Sequence, residues 1–329
     1  AYTFLSGADL EPVIQIEANS EVDVSDVTLT NGYGPTDPMW FESQGGGILA
    51  LDSDIKLAGV VIKDSNADNG GGIYQSGGTL SISRSYIQDN NATWEGGGIF
   101  ALSTELNFEG VDIWDNTADF WGGGLYLENC NNAWIEDSSF YGNISEGDGG
   151  GAFVSEGTTT FSNCFFEGNQ TAWSGGGIFG YDSTIDIDEC FFGSNYATNA
   201  SAIKVFGGTM TVNETLIEDN LNDSYDSAID AGFGATLNMT DSLVSDNDGS
   251  GVLLGDDSWL FCTGSSTATA GFLRNDQYGL ARFSYTSGGG IELDNCDFGD
   301  DAVDEKNELG DFYNRISLVT LGNDASGIY

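Results

Sequence analysis

Residues 149–178 read GGGAFVSEGTTTFSNCFFEGNQTAWSGGGI and contain one full repeat of the chain together with the beginning of the next. The repeat opens with three glycines and an apolar residue. Self-similarity at a fixed period is the signature of a repeat architecture, so the recurrence of this triplet decides the fold. At steps of 25, 26, 26, 27 and 26 residues, the triplets begin at Gly45, Gly70, Gly96, Gly122, Gly149 and Gly175.

A second marker keeps the same period: a large apolar residue, two variable residues and then asparagine, as in FEGN at 166–169. Between the two markers lie alternating stretches such as TIDID at 184–188, and alternation with a period of two predicts a β-strand. No segment has the period of about 3.6 residues that a long helix would show. The asparagines of the second marker are Asn90, Asn116, Asn143, Asn169, Asn195, Asn220 and Asn247.

Each unit of about 26 residues holds about three short strands, which cannot bury their apolar face alone but can do so by stacking on the next unit. We therefore predict an all-β fold, a single-stranded parallel β-helix (solenoid) with one repeat per coil. Dividing 329 residues by this period gives roughly 12 coils in a single domain, 1–329. The coils are regular over 13–251, and we expect an irregular coil or insertion at 252–290 and a last coil with a C-terminal cap at 291–329.

Stacking in register turns each repeat position into a column of equivalent side chains. The apolar residue after the glycines, such as Ile99, should lie in the core, and the asparagines should form an inward ladder that bonds to the backbone and to its own copies. Asparagine also tolerates the left-handed conformation of a sharp bend, and glycine suits a positive φ at a corner. In a column of small inward residues, Cys164 and Cys190 fall in adjacent coils, where either a disulfide or two buried free thiols would fit.

The chain is strongly acidic: 52 Asp and Glu stand against 8 Lys and Arg and no His, which gives a net charge of −44. A surface of this charge repels nucleic acid and anionic lipid. The lack of His excludes a Ser-His-Asp or Cys-His site, and no apolar run reaches the ~18 residues of a membrane span. We therefore expect no nucleic-acid partner and no direct insertion into a membrane.

Carboxylates precede the ladder asparagines in adjacent coils, at Asp89 and Asp115 and again at Asp219 and Asp246. In register, each pair would be separated by about 5 Å, where like charges repel by about 1 kcal/mol in water. A Ca²⁺ ion, which prefers oxygen ligands, would relieve this repulsion, and Asp248 extends the acidic turn after Asp246. If the carboxylates point outward instead, water solvates them. Neither interpretation requires a cofactor.

Three tryptophans, Trp94, Trp121 and Trp173, each lie one or two residues before a glycine triplet. As an exposed row on one face of the helix, they could stack on sugar rings or contact a protein partner. The alternative is that they cover the corner glycines and close the core there.

The two alternating motifs resemble the repeat of the chlamydial polymorphic outer membrane proteins. FYGN at 140–143, FEGN at 166–169 and FGSN at 192–195 match the second motif of that repeat, and the glycine triplets match the first. The resemblance covers about 13–251. It implies a right-handed parallel β-helix displayed outside the cell or on a bacterial cell surface, where members act as adhesins or surface proteins.

Taken with the repeat, these observations favour a secreted or cell-surface, non-enzymatic β-helix that acts as an adhesin or structural rod. Its partner would be a glycan or protein on a host or neighbouring cell surface. One alternative is a polysaccharide-active enzyme, a lyase or a glycoside hydrolase, with its cleft expected at 252–290 near Arg274 and Arg282. Another is a subunit of an extracellular filament, stacked end to end through open strand edges.

Overall fold

The computed structural model describes residues 3–34, 43–223, 226–264, 270–273, 275, 278–282, 289–297, 310–314 and 319–321. These residues form 39 β-strands and no α-helix. No helix in this part of the chain is therefore long and apolar enough to cross a membrane.

The strands follow one another in short segments that are separated by bends. In chain order they are β1 Thr3–Ser6, β2 Ile14–Ile16, β3 Glu21–Ser25, β4 Val27–Thr30, β5 Ile48–Ala58, β6 Val61–Lys63, β7 Asn66–Asn69, β8 Ile73–Gln88, β9 Asn91–Glu95, β10 Ile99–Leu102, β11 Glu105–Trp114, β12 Thr117–Ala118, β13 Leu125–Glu128, β14 Asn132–Glu136, β15 Ser139–Tyr141, β16 Ile144–Ser145, β17 Ala152–Ser155, β18 Thr158–Ser162, β19 Phe165–Glu167, β20 Gln170–Thr171, β21 Ile178–Tyr181, β22 Thr184–Asp188, β23 Phe191–Gly193, β24 Tyr196–Ala197, β25 Ile203–Phe206, β26 Thr209–Asn213, β27 Leu216–Glu218, β28 Leu221–Asn222, β29 Ser227–Gly232, β30 Thr236–Thr240, β31 Leu243–Ser245, β32 Ser250–Leu254, β33 Trp259–Thr263, β34 Ala270–Leu273, β35 Tyr278–Arg282, β36 Gly290–Asp294, β37 Cys296–Asp297, β38 Gly310–Asn314 and β39 Val319–Leu321.

Strand pairing follows the repeat. Ile99 in β10 pairs in parallel with Ile73 one coil before it and with Leu125 one coil after it. Each strand of the regular coils therefore lies beside its own equivalent in the next coil, as the period predicts. The predicted parallel β-helix is confirmed, with a spacing of about 26 residues. The described residues make about 10 turns, compared with the roughly 12 expected for the whole chain.

The core consists of inward columns of apolar side chains. The residue after each glycine triplet is fully buried, as expected, in every regular coil from Ile73 to Ile229. On another side of the core, Phe140, Phe166 and Phe192 stack with ring centroids 4.5 and 4.7 Å apart. In-register stacking places equivalent repeat positions over each other, so the core is continuous along the helix.

The glycine triplets form the tightest corner of each coil. Their first residues have φ between 62° and 71°, a left-handed conformation that favours glycine. The second glycine is required for a different reason. A Cβ built on Gly97 would lie 2.4 Å from the carbonyl oxygen of Gly123 in the next coil. The corner thus combines a positive φ with a backbone approach that leaves no room for a side chain.

The asparagines of the second marker form a continuous buried ladder. Asn143 Nδ2 donates a hydrogen bond to Asn169 Oδ1 at 3.0 Å and another to the Ile113 carbonyl at 2.8 Å. The backbone N–H of Asn143 donates to the same Asn169 oxygen at 3.1 Å. This pattern repeats from Asn90 onward and continues to Asn275, which the sequence reasoning missed because it follows Asn247 by 28 residues.

The disulfide considered between Cys164 and Cys190 is wrong for this structure, in which both thiols are buried and free. Equivalent side chains in stacked strands point in the same direction, so the two thiols lie one above the other, close enough to hydrogen-bond to each other. Each sulfur also lies within hydrogen-bond distance of a backbone carbonyl, Cys164 of Ile135 at 3.4 Å and Cys190 of Asp188 at 3.2 Å. A disulfide joins Cys262 to Cys296, 34 residues further along the chain, with their Cα atoms 6.3 Å apart.

That disulfide is formed between two different columns. Cys262 pairs with Leu293 and belongs to the apolar column of the middle strands, whereas Cys296 pairs with Ala270 and belongs to the column of small residues. Side chains from neighbouring columns can converge across a bend, so their sulfurs can meet within disulfide geometry.

Stacking continues beyond residue 251 with longer coils. Val252 in β32 pairs with Leu280 in β35, which pairs with Phe312 in β38, so successive steps are 28 and 32 residues. Arg274, the side chain of Arg282 and most of the C-terminal cap expected at 291–329 lie outside the described residues.

Candidate functional site

An outward column of aromatic side chains accompanies the glycine corners. In each strand that follows a triplet, the first residue points into the core and the second points outward, because side chains alternate along a strand. Neighbouring rings of this column lie 4.9–5.2 Å apart and are nearly parallel, and their side chains are only 5–7% exposed. The aromatic column consists of Tyr74, Phe100, Tyr126, Phe153 and Phe179.

The part of the aromatic column from Tyr126 to Phe179 forms the floor of a surface groove of about 420 Å³. Trp121 and Asp148 line one side of it, and Tyr181 and Phe206 line the other. Trp121 stacks on Phe153 at 5.5 Å, and Tyr181 stacks on Phe206 at 5.5 Å. We call this feature the aromatic groove; it is lined by Trp121, Tyr126, Asp148, Phe153, Ser155, Phe179, Tyr181 and Phe206.

The three predicted tryptophans do not form a single row. Trp94 and Trp173 lie in one column, with Phe120 and Gly147 as their equivalents in the intervening coils. Trp121 is shifted by one position, because it pairs with Glu95 instead of Trp94. It is half-buried against the aromatic column, and in this respect the expectation of an exposed row is corrected.

The column that contains Trp94 and Trp173 presents open ring surfaces beside the groove. Trp94 is 46% exposed, Phe120 is 53% exposed and Trp173 is 61% exposed. Trp94 and Phe120 have ring centroids 6.3 Å apart with a tilt of 54°. Rings in this column therefore leave faces accessible to a ligand, whereas the rings in the floor of the groove cover one another.

At the C-terminal end of the aromatic column, charged residues replace the rings. Lys204 pairs with Phe179 of the preceding coil, and Asp230 is the equivalent residue one coil further along. The Lys204 ammonium forms an ion pair with the Asp230 carboxylate, and both side chains are largely buried, with 12% and 13% exposed. A buried ion pair of this kind fixes the geometry at this end of the groove.

Two carboxyl groups beside the groove have raised pKa values. Burial raises the pKa of Asp148 to about 6, although hydrogen bonds from Ser174 and the charge of Lys204 act in the opposite direction. Burial and the charge of Asp230 raise the pKa of Asp226 to about 6, and Lys204 again opposes the shift. Both carboxyl groups therefore change charge close to neutral pH.

The carboxylates proposed for calcium lie at left-handed turns, with φ between 52° and 57° at Asp89, Asp115, Asp219 and Asp246. The first three are exposed and Asp246 is half-buried, as is Asp248. Partial burial and the charge of Asp89 raise the pKa of Asp115. In the part of the chain that the structure describes, no three Cys, Asp or Glu side chains come together as a metal-binding group.

Sequence reasoning missed the aromatic groove, together with Asp148, Lys204, Asp226 and Asp230. One signal was present: in five successive coils, an aromatic residue follows the core residue directly after the glycine triplet, as Phe100 follows Ile99. Because that residue also continues an apolar run, it reads as part of a buried strand.

Comparisons with known proteins agree with the fold. A family model described as "Right handed beta helix region" matches residues 12–192 and 123–298. Among solved structures, the chain is similar to the Azotobacter vinelandii mannuronan C-5 epimerase AlgE6 A-module, at 11% identity and a TM-score of 0.34, covering 93% of this chain and 91% of that one. No curated protein matches the chain.

Proposed function

Because this chain belongs to the family of right-handed β-helix regions, we propose that it is a secreted or cell-surface, non-enzymatic β-helix that binds glycan chains and acts as an adhesin. The observation that carries the proposal is the aromatic groove with the exposed rings of Trp94 and Trp173 beside it. The resemblance of the repeat to chlamydial surface proteins supports display outside the cell.

Exposed aromatic rings favour a sugar ligand because the apolar face of a sugar ring can cover an aromatic face, while its hydroxyl groups remain in contact with water and polar side chains. The groove runs along the helix axis through several coils, so it matches an extended chain better than a compact molecule. Its polar groups, Asp148 and Ser155, lie in the lining where they could bind hydroxyl groups.

An extended peptide fits this surface less well. Peptides commonly bind β-structure by adding a strand to a free sheet edge. Here β13 lies between β10 and β17, and β17 lies between β13 and β21, so the backbone groups in the floor of the groove are already paired. Recognition must therefore come from side chains, as it does for glycans.

The spacing of the two titratable carboxyl groups supports binding over hydrolysis. Asp148 and Asp226 lie shortly before Ala152 and Ile229, core residues that are three coils apart. At about 4.8 Å per coil, this separation is roughly 14 Å, beyond the ~5–10 Å that separates the two carboxyl groups of most glycosidases. These residues therefore do not form a hydrolytic pair with each other.

A glycan array tests the proposal, with the double variant Trp94→Ala/Trp173→Ala compared with the unchanged protein. We expect binding of at least one glycan class, weakened about tenfold or more by the double variant, since an aromatic pair is worth roughly 0.5–1.5 kcal/mol per ring. Trp134→Ala is the matched control, because Trp134 is also 46% exposed but lies on a different sheet face.

Absence of binding to every glycan class, or equal loss with the control variant, would overturn the proposal. Repeating the array with EDTA tests whether calcium contributes. We propose Ca²⁺ at the Asp89–Asp115 turn only as an accessory ion, since these residues lie outside the lining of the aromatic groove.

A second candidate function, a polysaccharide-active enzyme, is favoured by one observation. Burial and the charge of Asp230 raise the pKa of Asp226 to about 6, and Asp230 forms an ion pair with Lys204. Two carboxyl groups whose surroundings separate their protonation states can serve as an acid and a base. Release of reducing ends or unsaturated products from any array glycan, abolished by Asp226→Asn, would support this alternative.

A further inference from the structure

The aromatic groove is negatively charged at its N-terminal end. The Tyr126 side chain forms part of the floor, and its pKa is raised by burial and by the charges of Glu95, Glu128 and Glu156. Glu95 pairs with Trp121 and Glu128 pairs with Ser155, two residues that line the groove, and Glu156 directly follows Ser155. Asp148 adds a fourth carboxyl group from the wall of the groove.

No basic side chain among the described lining residues balances these carboxylates. Lys204 lies beyond Phe179 and is already paired with Asp230. Burial and the charge of Glu156 raise the pKa of Glu128, which shows that the carboxylates at this end repel one another. The site is therefore built at an electrostatic cost that a cationic ligand would remove.

The same walls bring aromatic and carboxylate groups together. Trp121 lies 5.5 Å from the Phe153 ring and 6.4 Å from the Tyr126 ring, and Asp148 is the residue equivalent to Trp121 in the next coil. An ammonium group at this point would meet a carboxylate on one side and an indole ring on the other. Both interactions favour a cation, and partial exclusion of water strengthens them.

We propose that the aromatic groove is specific for glycans whose sugars carry free ammonium groups, with an ammonium held between Asp148, Trp121 and the carboxylates around Tyr126. This inference rests on the proposed function, because it names the class of glycan that the same face would bind. The chain's net charge of −44 would attract such a polymer over long distances and repel polyuronates.

Isothermal titration with two soluble oligomers tests the inference: a glucosamine hexamer, and an N-acetylglucosamine hexamer as the uncharged control. The amine groups of the glucosamine hexamer are titrated first, and the binding experiment is run at a pH at which they are protonated. We expect the glucosamine hexamer to bind about tenfold or more tightly than the N-acetylated hexamer, and this ratio to fall as salt is added.

Asp148→Asn should reduce that preference several-fold, because the amide keeps hydrogen-bonding atoms at this position of the lining but carries no charge. Glu128→Gln is a second variant at the same end of the groove, and circular dichroism establishes that both variants are folded. Glu109→Gln is the matched control and should retain the full preference, because Glu109 is exposed in β11, outside the lining of the groove.

The outcomes separate the two proposals. Equal or tighter binding of the N-acetylated hexamer would overturn the ammonium inference but leave glycan binding intact. If neither hexamer nor any array glycan bound, the proposed function itself would fail. If a lysine hexapeptide bound as tightly as the glucosamine hexamer, the ligand class would be a cationic peptide and the inference would be wrong.

Discussion

Two columns of stacked side chains run through the same coils, and they differ in how far they extend. The inward Asn ladder continues without a break from Asn90 to Asn275, and each member bonds both to its copies and to backbone carbonyls. The outward aromatic column extends from Tyr74 to Phe179 and is then replaced by Lys204 and Asp230.

The difference indicates which column serves the fold. A gap in the ladder would leave buried backbone groups without partners, which costs ~1–3 kcal/mol for each group. The coils that carry Lys204 and Asp230 continue the stack without outward rings, so the aromatic column is not required for a coil to form. The rings pack on one another as a separate hydrophobic cluster, and the proposed glycan site gives that cluster a second role.

The sharpest test of this contrast compares a ring from each side of the sheet. Phe166→Ala removes a fully buried ring from the Phe140–Phe192 stack and should lower the free energy of unfolding by about 3–5 kcal/mol. Phe153→Ala removes a buried ring of the outward column and should cost about 3 kcal/mol, at the low end of the same range, because the space it leaves opens to the water of the groove. Urea denaturation of both variants measures the difference.

Equal destabilisation by the two substitutions would contradict this interpretation, because the outward column would then be a second core. Unfolding of a repeat protein can proceed in stages, so both variants should be followed by circular dichroism and by Trp fluorescence. Agreement between the two probes is required before the free energies are compared.

The second prediction removes one step of the ladder. In Asn169→Ala, the backbone N–H of Asn143 and the carbonyl of Phe140 each lose a hydrogen-bond partner in the core. We expect destabilisation of about 2–6 kcal/mol, from two buried groups at ~1–3 kcal/mol each. Asn131→Ala is the control, since that side chain is exposed and donates to the nearby carbonyl of Asn129.

Hydrogen exchange locates the effect of Asn169→Ala. Protection should fall first in β15, β19 and β23, which lie on either side of the altered ladder step. Loss of protection restricted to the aromatic groove, with these strands unchanged, would show that the ladder does not carry the stability assigned to it.

The inward features could be predicted from the sequence because they repeat. A column that must pack or bond to itself keeps the same residue type at a fixed spacing. The positions of Ile99 and Asn143 therefore predict the equivalent residues in the adjacent coils. The groove depends on how separate positions converge in space: Trp121 differs from Trp94 by a single step in register. The Cys262–Cys296 disulfide was unpredictable for a similar reason, because it connects two columns where the coil length changes.

The smallest predicted effect concerns pH and again separates the groove from the core. Because the pKa of Asp148 is about 6 in the folded protein, above the 3.8 of an unperturbed Asp, the folded state binds the proton more tightly than the unfolded state. The stability that Asp148 contributes is therefore present below about pH 4 and is lost as the pH rises through about 6.

We expect Asp148→Asn to be more stable than the unchanged protein at pH 7 by about 1 kcal/mol, after allowance for solvent screening, with the advantage vanishing near pH 4. Asp226→Asn should change stability in the same direction, since burial raises that pKa to about 6 as well. Denaturation curves across this range measure the difference, and an advantage independent of pH would mean that the Asp148 carboxylate is not strained by its place in the groove wall. A pH-dependent advantage would instead show that the folded chain retains an unfavourable charge at the groove, as expected of a site that awaits a cation.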